Sequence, residues 1–409
     1  MDHLFRCKPP EWYKGAAMNI LFRKIVLLAL IGTASLAHAA STPPPGDALS
    51  KGLWWLYQLQ YDKAIESYDV YIAQHPDDAA GYFYKAAAHW WHLAQAIEYP
   101  LSDVETQFNE NIDLAIQHAD EELGRLNCKD AAQKKRAAEV YLFKGGAEGL
   151  RGRWLVTQTS WVKAYFAGRS GDNDLHHALK LNPELYDAYL GVGIYDYFSD
   201  TLSGFMGAMS AIFVRGDRKR GIEEIKLAID KSPRARIEAS VFLAEIYTFE
   251  ENTPQKAIDV LKMPRQELPD SPLIYLMEIT AYYQMKDWAT VEREAHEYLQ
   301  KSEGEIPWYT KSGILPALYC IGVAELWGKR DTESALKRFN RIMEEAGPTD
   351  ASRWVSFSLL RRGQIHDLRG ERKDAIDDYN AVITRQEIWG SHREAKDYLK
   401  TPFTWPVTK

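Results

Sequence analysis

His89 and His92 are the first pair in this chain with the spacing of metal ligands, because residues three apart on a helix share a face. No carboxylate follows at helical spacing to complete a site. His89 also falls where a packed aromatic is expected, so the pair is assigned to the core. His176 and His177 are adjacent, and on a helix their rings diverge by one residue step. Arg215-Gly216-Asp217 has the form of an adhesion tripeptide, yet Gly216 fits a turn between paired helices. The carboxylate pairs Glu223-Glu224, Glu344-Glu345 and Asp377-Asp378 read as solvated helix faces. The chain has no Gly-rich phosphate loop ending in Lys-Ser/Thr, no Gly-x-Ser-x-Gly elbow, no HExxH and no Cys-x-x-Cys. No catalytic residue, metal or cofactor is therefore expected, and the protein is read as a binding protein rather than an enzyme. An enzyme with an unrecognised site is kept as an alternative; it would need acid, base or metal groups converging from several parts of the chain.

The elements that would position a binding surface come from internal repeats. In residues 45–78, Gly52, Trp55, Ala64, Tyr68 and Pro76 recur at the places of a 34-residue helix-turn-helix unit. Near the C-terminus Gly363, Gly370, Ala375 and Tyr379 repeat the pattern. Between them lie units with Tyr141, Gly145, Gly152 and Trp154; with Gly193, Gly221, Ile225 and Ala228; with Leu243, Ala257 and Leu261; with Tyr275, Tyr282, Trp288 and Ala295; and with Gly328, Ala335 and Phe339. This pattern resembles the tetratricopeptide repeat, and eight helical pairs are counted. The resemblance implies an all-α, right-handed superhelical solenoid spanning 41–400 as one domain, with 401–409 as a tail. Small residues at the eighth and twentieth places let paired helices approach, and the aromatic at the twenty-fourth fills the gap to the next pair. Pro76, Pro183, Pro233 and Pro269 are expected to stop second helices.

Three interruptions of the period, at 96–111, 155–171 and 200–214, all fall between first and second helices and should emerge on one rim. They read equally as a binding surface or as helix extensions packed on one another. The third lies within GVGIYDYFSDTLSGFMGAMSAIFVRGDRKRGIEEIKLAI. Over 188–230 this order resembles the inclusion-body-clearance and tetratricopeptide-repeat-thirty-nine proteins of the mitochondrial outer membrane. It departs from them at Phe213-Val214-Arg215, where they have a Gly-Phe pair, and lacks their Pro in the apolar segment. That resemblance implies a non-enzymatic adaptor. The apolar run is too short to span a bilayer, although peripheral membrane contact through 200–214 is a further reading.

The N-terminus carries its own signal. Arg23 and Lys24, the apolar run from Ile25 and Ala37-His38-Ala39 form a secretory signal over 18–39, with 1–17 an upstream extension, so export to a periplasm is expected. Composition suits a soluble chain with a large core, at 46% hydrophobic and 26% charged residues. Five of the 50 Lys/Arg and two of the 57 Asp/Glu lie in residues 1–40, leaving a net charge of −10, which disfavours nucleic acid as a partner. Cys128 and Cys320 either pair in an oxidising compartment or remain buried thiols.

Function then rests on contact surfaces. Trp90, Tyr197, Tyr247 and Tyr283 occupy the twelfth place of four first helices, with Trp91 beside Trp90. Facing a concave groove, they would clamp a protein or peptide partner; facing inward, they are core. A glycan-binding accessory in envelope or polysaccharide traffic is the alternative, with sugar rings stacked on the same aromatics.

Overall fold

The computed structural model describes residues 43, 46–96, 98–99, 101–127, 130–206, 216–304, 308–309 and 313–405, with the backbone alone for 200–206. The signal segment, Cys128 and the stretch 207–215 lie outside the described residues. Among those described there are seventeen α-helices, one π-helical turn and no strand. They form eight antiparallel pairs: α1 (Ala48–Tyr57) with α2 (Tyr61–Gln74), α3 (Ala79–Gln95) with α4 (Ser102–Arg125), α5 (Ala131–Thr157) with α6 (Trp161–Leu181), and α7 (Ala188–Met206) with α8 (Arg218–Lys231). The series continues with α9 (Arg236–Glu245) and α10 (Pro254–Glu267), α11 (Pro272–Met285) and α12 (Trp288–Glu303), α13 (Ile314–Lys329) and α14 (Thr332–Ala346), and α15 (Arg353–Arg369) and α16 (Arg372–Ile383). A last helix, α17 (Ser391–Lys400), covers the end of the stack. The expected all-α solenoid of eight pairs is the observed architecture. No helix among the described residues is long and apolar enough to cross a membrane.

Local chemistry sets the helix ends. Asp47, Asp78, Asp130, Asp217, Ser271, Asp287 and Asp331 each cap a helix by accepting hydrogen bonds from exposed backbone N–H groups. The aspartate of the Arg-Gly-Asp tripeptide is thus a helix cap: Asp217 Oδ1 accepts from the N–H of Lys219 and of Arg220 at 3.0 Å. Helices α2, α6, α8 and α10 end at Gln74, Leu181, Lys231 and Glu267, each two residues before Pro76, Pro183, Pro233 or Pro269, because the residue preceding a proline disfavours the α region.

The repeat glycines show how the pairs approach. A Cβ at Gly52 would lie 2.2 Å from the Tyr68 ring, and one at Gly363 would lie 2.4 Å from Tyr379; both rings are fully buried. In the seventh pair it is Gly322, not Gly328, that faces Phe339, whereas Gly328 abuts Trp288 of the preceding pair. In the third and fourth pairs a second glycine replaces the small residue, and backbone meets backbone. A Cβ at Gly145 would sit 2.7 Å from the carbonyl oxygen of Gly171, and one at Gly193 would sit 2.7 Å from that of Gly221.

The interruptions are helical rather than looped where they are described. Residues 155–171 lengthen α5 and α6, and 102–111 form the first turns of a 24-residue α4. The two extensions meet on one rim, where the Trp154 indole donates to Glu105 Oε1 at 3.1 Å and packs edge-on against Phe108.

The solenoid closes on itself. Helix α1 packs against α11: Ser271 Oγ donates to the Tyr57 carbonyl at 2.6 Å, and Trp308 stands edge-on to Trp54 with ring centroids 5.5 Å apart. Arg234, just before α9, reaches Asp47 at 2.6 Å. Farther along, the turn after α3 meets the start of α15 through a buried ion pair of Arg353 with Glu98, joined by a hydrogen bond from Arg353 to the Gln95 carbonyl at 3.2 Å.

Two glycines make the packing argument testable. Gly145→Ala should destabilise the protein by about 1–3 kcal/mol, because the rigid backbone of Gly171 must move. Gly149→Ala, whose Cβ would meet nothing, should stabilise it by about 0.5–1 kcal/mol. Equilibrium urea unfolding of the two variants measures the contrast.

Candidate functional site

The concave surface of the first five pairs forms a partly open cavity of about 320 Å³. Its walls come from the first helices of those pairs and from one second helix: Leu56 of α1, Phe83 and Trp91 of α3, Leu150 and Arg153 of α5, Ile194 and Phe198 of α7, Glu238 and Phe242 of α9, and Trp161 and Tyr165 of α6. Most of this lining is apolar, so the charged groups stand out.

Arg153 is held between two rings, its guanidinium carbon 3.8 Å from the Trp90 centroid and 4.7 Å from that of Phe242. Arg favours such faces because its planar cation meets the negative ring quadrupole. Among the described residues its Nε–H has no acceptor and is fully shielded. Glu238, Phe242 and Glu245 occupy successive turns of one face of α9, which brings two carboxyls to the same region. Glu238 lines the cavity, and both residues are half-buried. Burial pushes Glu238 up to about 7, against the opposing charge of Arg153 and a hydrogen bond from Trp91. It pushes Glu245 up to about 8, again against Arg153, while the charge on Glu238 adds to the rise. Burial also lowers the affinity of Arg153 for its proton, and both carboxylates oppose that. With the two carboxyls protonated, the cluster offers one cation and two O–H donors, an arrangement that can hold an anionic group.

The five aromatics singled out by repeat position fall in separate places. Trp90 and Trp91 belong to this cluster, with ring centroids 5.4 Å apart. Tyr197 is fully buried on the pairing side of α7, where its hydroxyl donates to Glu251 at 2.8 Å and Arg218 covers its ring. It lies four residues after Gly193 and so shares the face that meets α8; Phe198 and Tyr195 line the cavity instead. Tyr247 is buried in the π-helical turn Ile246–Glu250, near Lys226 and Lys256. Tyr283 lies deep beside Tyr319 and Arg361 and edge-on to Trp288, in a second inner cluster where Arg361 binds Gln364 and Glu394 at 3.0 and 2.9 Å.

His89 is buried with neither ring nitrogen bonded, and burial lowers its pKa to about 4; His92 stacks on Tyr61. His176 pairs with Asp172 and His177 packs on Tyr141, so these two do diverge. Two of the presumed solvated carboxylates turn inward. Glu224 faces Asp196 and Arg220 and is raised to about 7, chiefly by burial, and Asp378 is buried against Arg362 and His366. Two groups with metal-like spacing, Glu292-His296-Glu325 and His366-Glu371-Asp374, were not foreseen. In the first, Lys329 holds Glu292 at 2.6 Å and Arg338 holds Glu325 at 3.1 Å; in the second, His366 itself binds Glu371 at 2.6 Å. Cys320 is a free thiol, raised to about 12 by burial.

Residues 51–78 match the tetratricopeptide-repeat family profile. No curated protein matches the sequence at a significant level. Among solved structures, the chain is similar to yeast Tom70, with 10% identity, 87% of this chain and 88% of that one covered, and a TM-score of 0.39. A human IFIT1 dimer with m7Gppp-AAAA matches at 12% identity over 97% and 86% of the two chains, with a TM-score of 0.41. The tetratricopeptide domain of P58(IPK) matches at 11% identity over 86% and 96%, with a TM-score of 0.24. None of these three is from the inclusion-body-clearance group, and that resemblance rests on residues 188–230 alone.

The raised carboxyls carry a pH signature. A carboxyl whose folded pKa exceeds its unfolded value stabilises the fold fully below the unfolded value and loses that contribution as pH rises through the folded one. The melting temperature should therefore fall between pH 5.5 and 8.5. In Glu238→Gln/Glu245→Gln that fall should be smaller, as measured by calorimetry across the same buffers.

Proposed function

We propose that the protein is an exported scaffold without catalysis of its own, which binds a protein partner through the rim built by the extended helices of the third pair. The observation that carries this reading is the tip of α6, where Val162 is 71% and Phe166 63% exposed. Large apolar side chains so open to water mark interaction sites when they cluster, and Tyr165 packs edge-on against Phe166 at 5.4 Å. Repeat stacking does not require this extension. The interior fits a protein partner less well, since 320 Å³ admits a few side chains and no folded segment. In this reading Trp90, Trp91 and Tyr283 serve the interior rather than the partner surface. Tetratricopeptide repeats support a protein-interaction role, and the signal segment at 18–39 supports export.

Photo-crosslinkers placed at 162 and 166 in cells should give one discrete adduct, and a crosslinker at exposed Lys337 on α14 should not. Val162→Glu/Phe166→Glu should abolish the adduct while the circular dichroism spectrum stays unchanged, and the purified protein should begin at Ala40. Equal crosslinking from all three positions, or binding unaffected by the double variant, would count against the rim. Retention on a glycan array that the same variant removes would instead favour the carbohydrate reading.

A further inference from the structure

We propose that this partly open cavity is a binding site for a small monocarboxylate with an apolar body, its carboxylate placed against Arg153 and its body along the first helices. Trp161 and Tyr165 of α6 belong to the cavity wall, so the site adjoins the rim of the third pair, but ligand binding in it does not require a partner on that rim.

Three observations converge on that ligand. The first is the state of Arg153. A guanidinium carries five donors, and leaving buried donors without a partner costs free energy that native proteins rarely accept. Here the nearest groups are ring faces, which hold the cation in place and accept none of its hydrogen bonds well. Of these donors Nε–H is fully shielded and has no acceptor, while the residue as a whole is half-buried. Neither Glu238 nor Glu245 forms an ion pair with it within 4.0 Å, although both act on it electrostatically. The cation is oriented for a partner that the chain does not supply.

The second observation is the surrounding wall. Leu56, Phe83, Leu150, Ile194 and Phe198 present hydrocarbon to the space leading away from Arg153. A cavity of about 320 Å³ lies at the low end of the roughly 300–1,000 Å³ typical of small-ligand pockets, so a whole phospholipid is too large. A medium-length aliphatic acid suits both its size and its polarity.

The third observation is charge balance. The other charged groups of the wall are engaged, Arg234 with Asp47, Asp172 with His176 and Asp187 with Ser232, which leaves one guanidinium to match one carboxylate. A doubly charged phosphate would meet too little positive charge, because Glu238 and Glu245 flank the site. Protonated, these two can donate to a bound carboxylate; ionised, they repel it. The groups facing them are Arg153 of α5, Trp91 of α3 and the phenols of Tyr57 on α1 and Tyr68 on α2, both raised well above the normal range by burial. Between pH 6 and 9 the two carboxyls are the groups of this set that titrate, with values of about 7 and 8.

The test is a head-group series on the full mature chain, with decanoate, decanol and decylamine followed by isothermal titration calorimetry and tryptophan fluorescence. Decanoate should bind saturably, one per chain, and at least tenfold tighter than decanol. Arg153→Gln should erase that preference while leaving decanol binding unchanged, and Arg153→Lys should keep part of it. Raising the pH from 6 to 9 should weaken decanoate several-fold in the parent protein and much less in Glu238→Gln/Glu245→Gln. Equal binding of decanoate and decanol would reduce the site to an unspecific apolar hole. Tighter binding of decylamine would make it a cation site of the two glutamates, and no saturable binding would remove it. If Arg153→Gln does not fold, the head-group series on the parent chain still decides.

Discussion

Arg353 and Glu98 lie 255 residues apart in sequence and form an ion pair buried almost completely from solvent. Removing one member of such a pair costs about 3–5 kcal/mol, because the other is left as an uncompensated buried charge. The pair therefore acts as a fastening with little tolerance for partial opening. With Ser271 on the Tyr57 carbonyl and Arg234 on Asp47, it determines that the helix pairs form a closed turn. A cavity walled by five first helices and by α6 depends on that turn being closed.

Closure at this radius also depends on how near the helices of a pair can come. Where Gly145 faces Gly171, and Gly193 faces Gly221, the backbones touch and no aromatic is needed between them; Leu175 and Ile225 take the place held by Tyr68 or Tyr379 elsewhere. These two close pairs lie in the middle of the arc that surrounds the cavity. The glycines of α5 serve different purposes, since Gly145 meets α6, Gly146 admits the Phe83 ring of α3, and Gly149 leaves the inner face open. Their helical cost is offset by packing that larger residues would prevent.

The architecture was legible because it is periodic. Gly52 with Tyr68, Gly363 with Tyr379, and the four prolines that end second helices fall where a 34-residue count places them. What the count could not see is long-range closure, since nothing local in Glu98 or Arg353 announces a partner in another unit. Nor could it follow a change of phase. Tyr247 is buried at the start of the π-helical turn Ile246–Glu250, a break in the α period that repeat counting does not register, and Tyr197 shares a face with the pairing glycine. The inner cluster left one faint trace: Glu238 and Glu245, two acids on the inner face of a helix whose other residues are mostly apolar and buried. Arg153 gave none, because an arginine in a 27-residue helix is ordinary until two rings are found against it.

The central claim is that the chain is a closed turn rather than an open superhelix. The most direct measurement is the distance between nitroxide labels on Lys51 of α1 and Gln266 of α10, by pulsed electron paramagnetic resonance. A closed turn predicts one short, narrow distance population that persists in dilute solution. A long, broad distribution would show an open solenoid, and the cavity would then not exist.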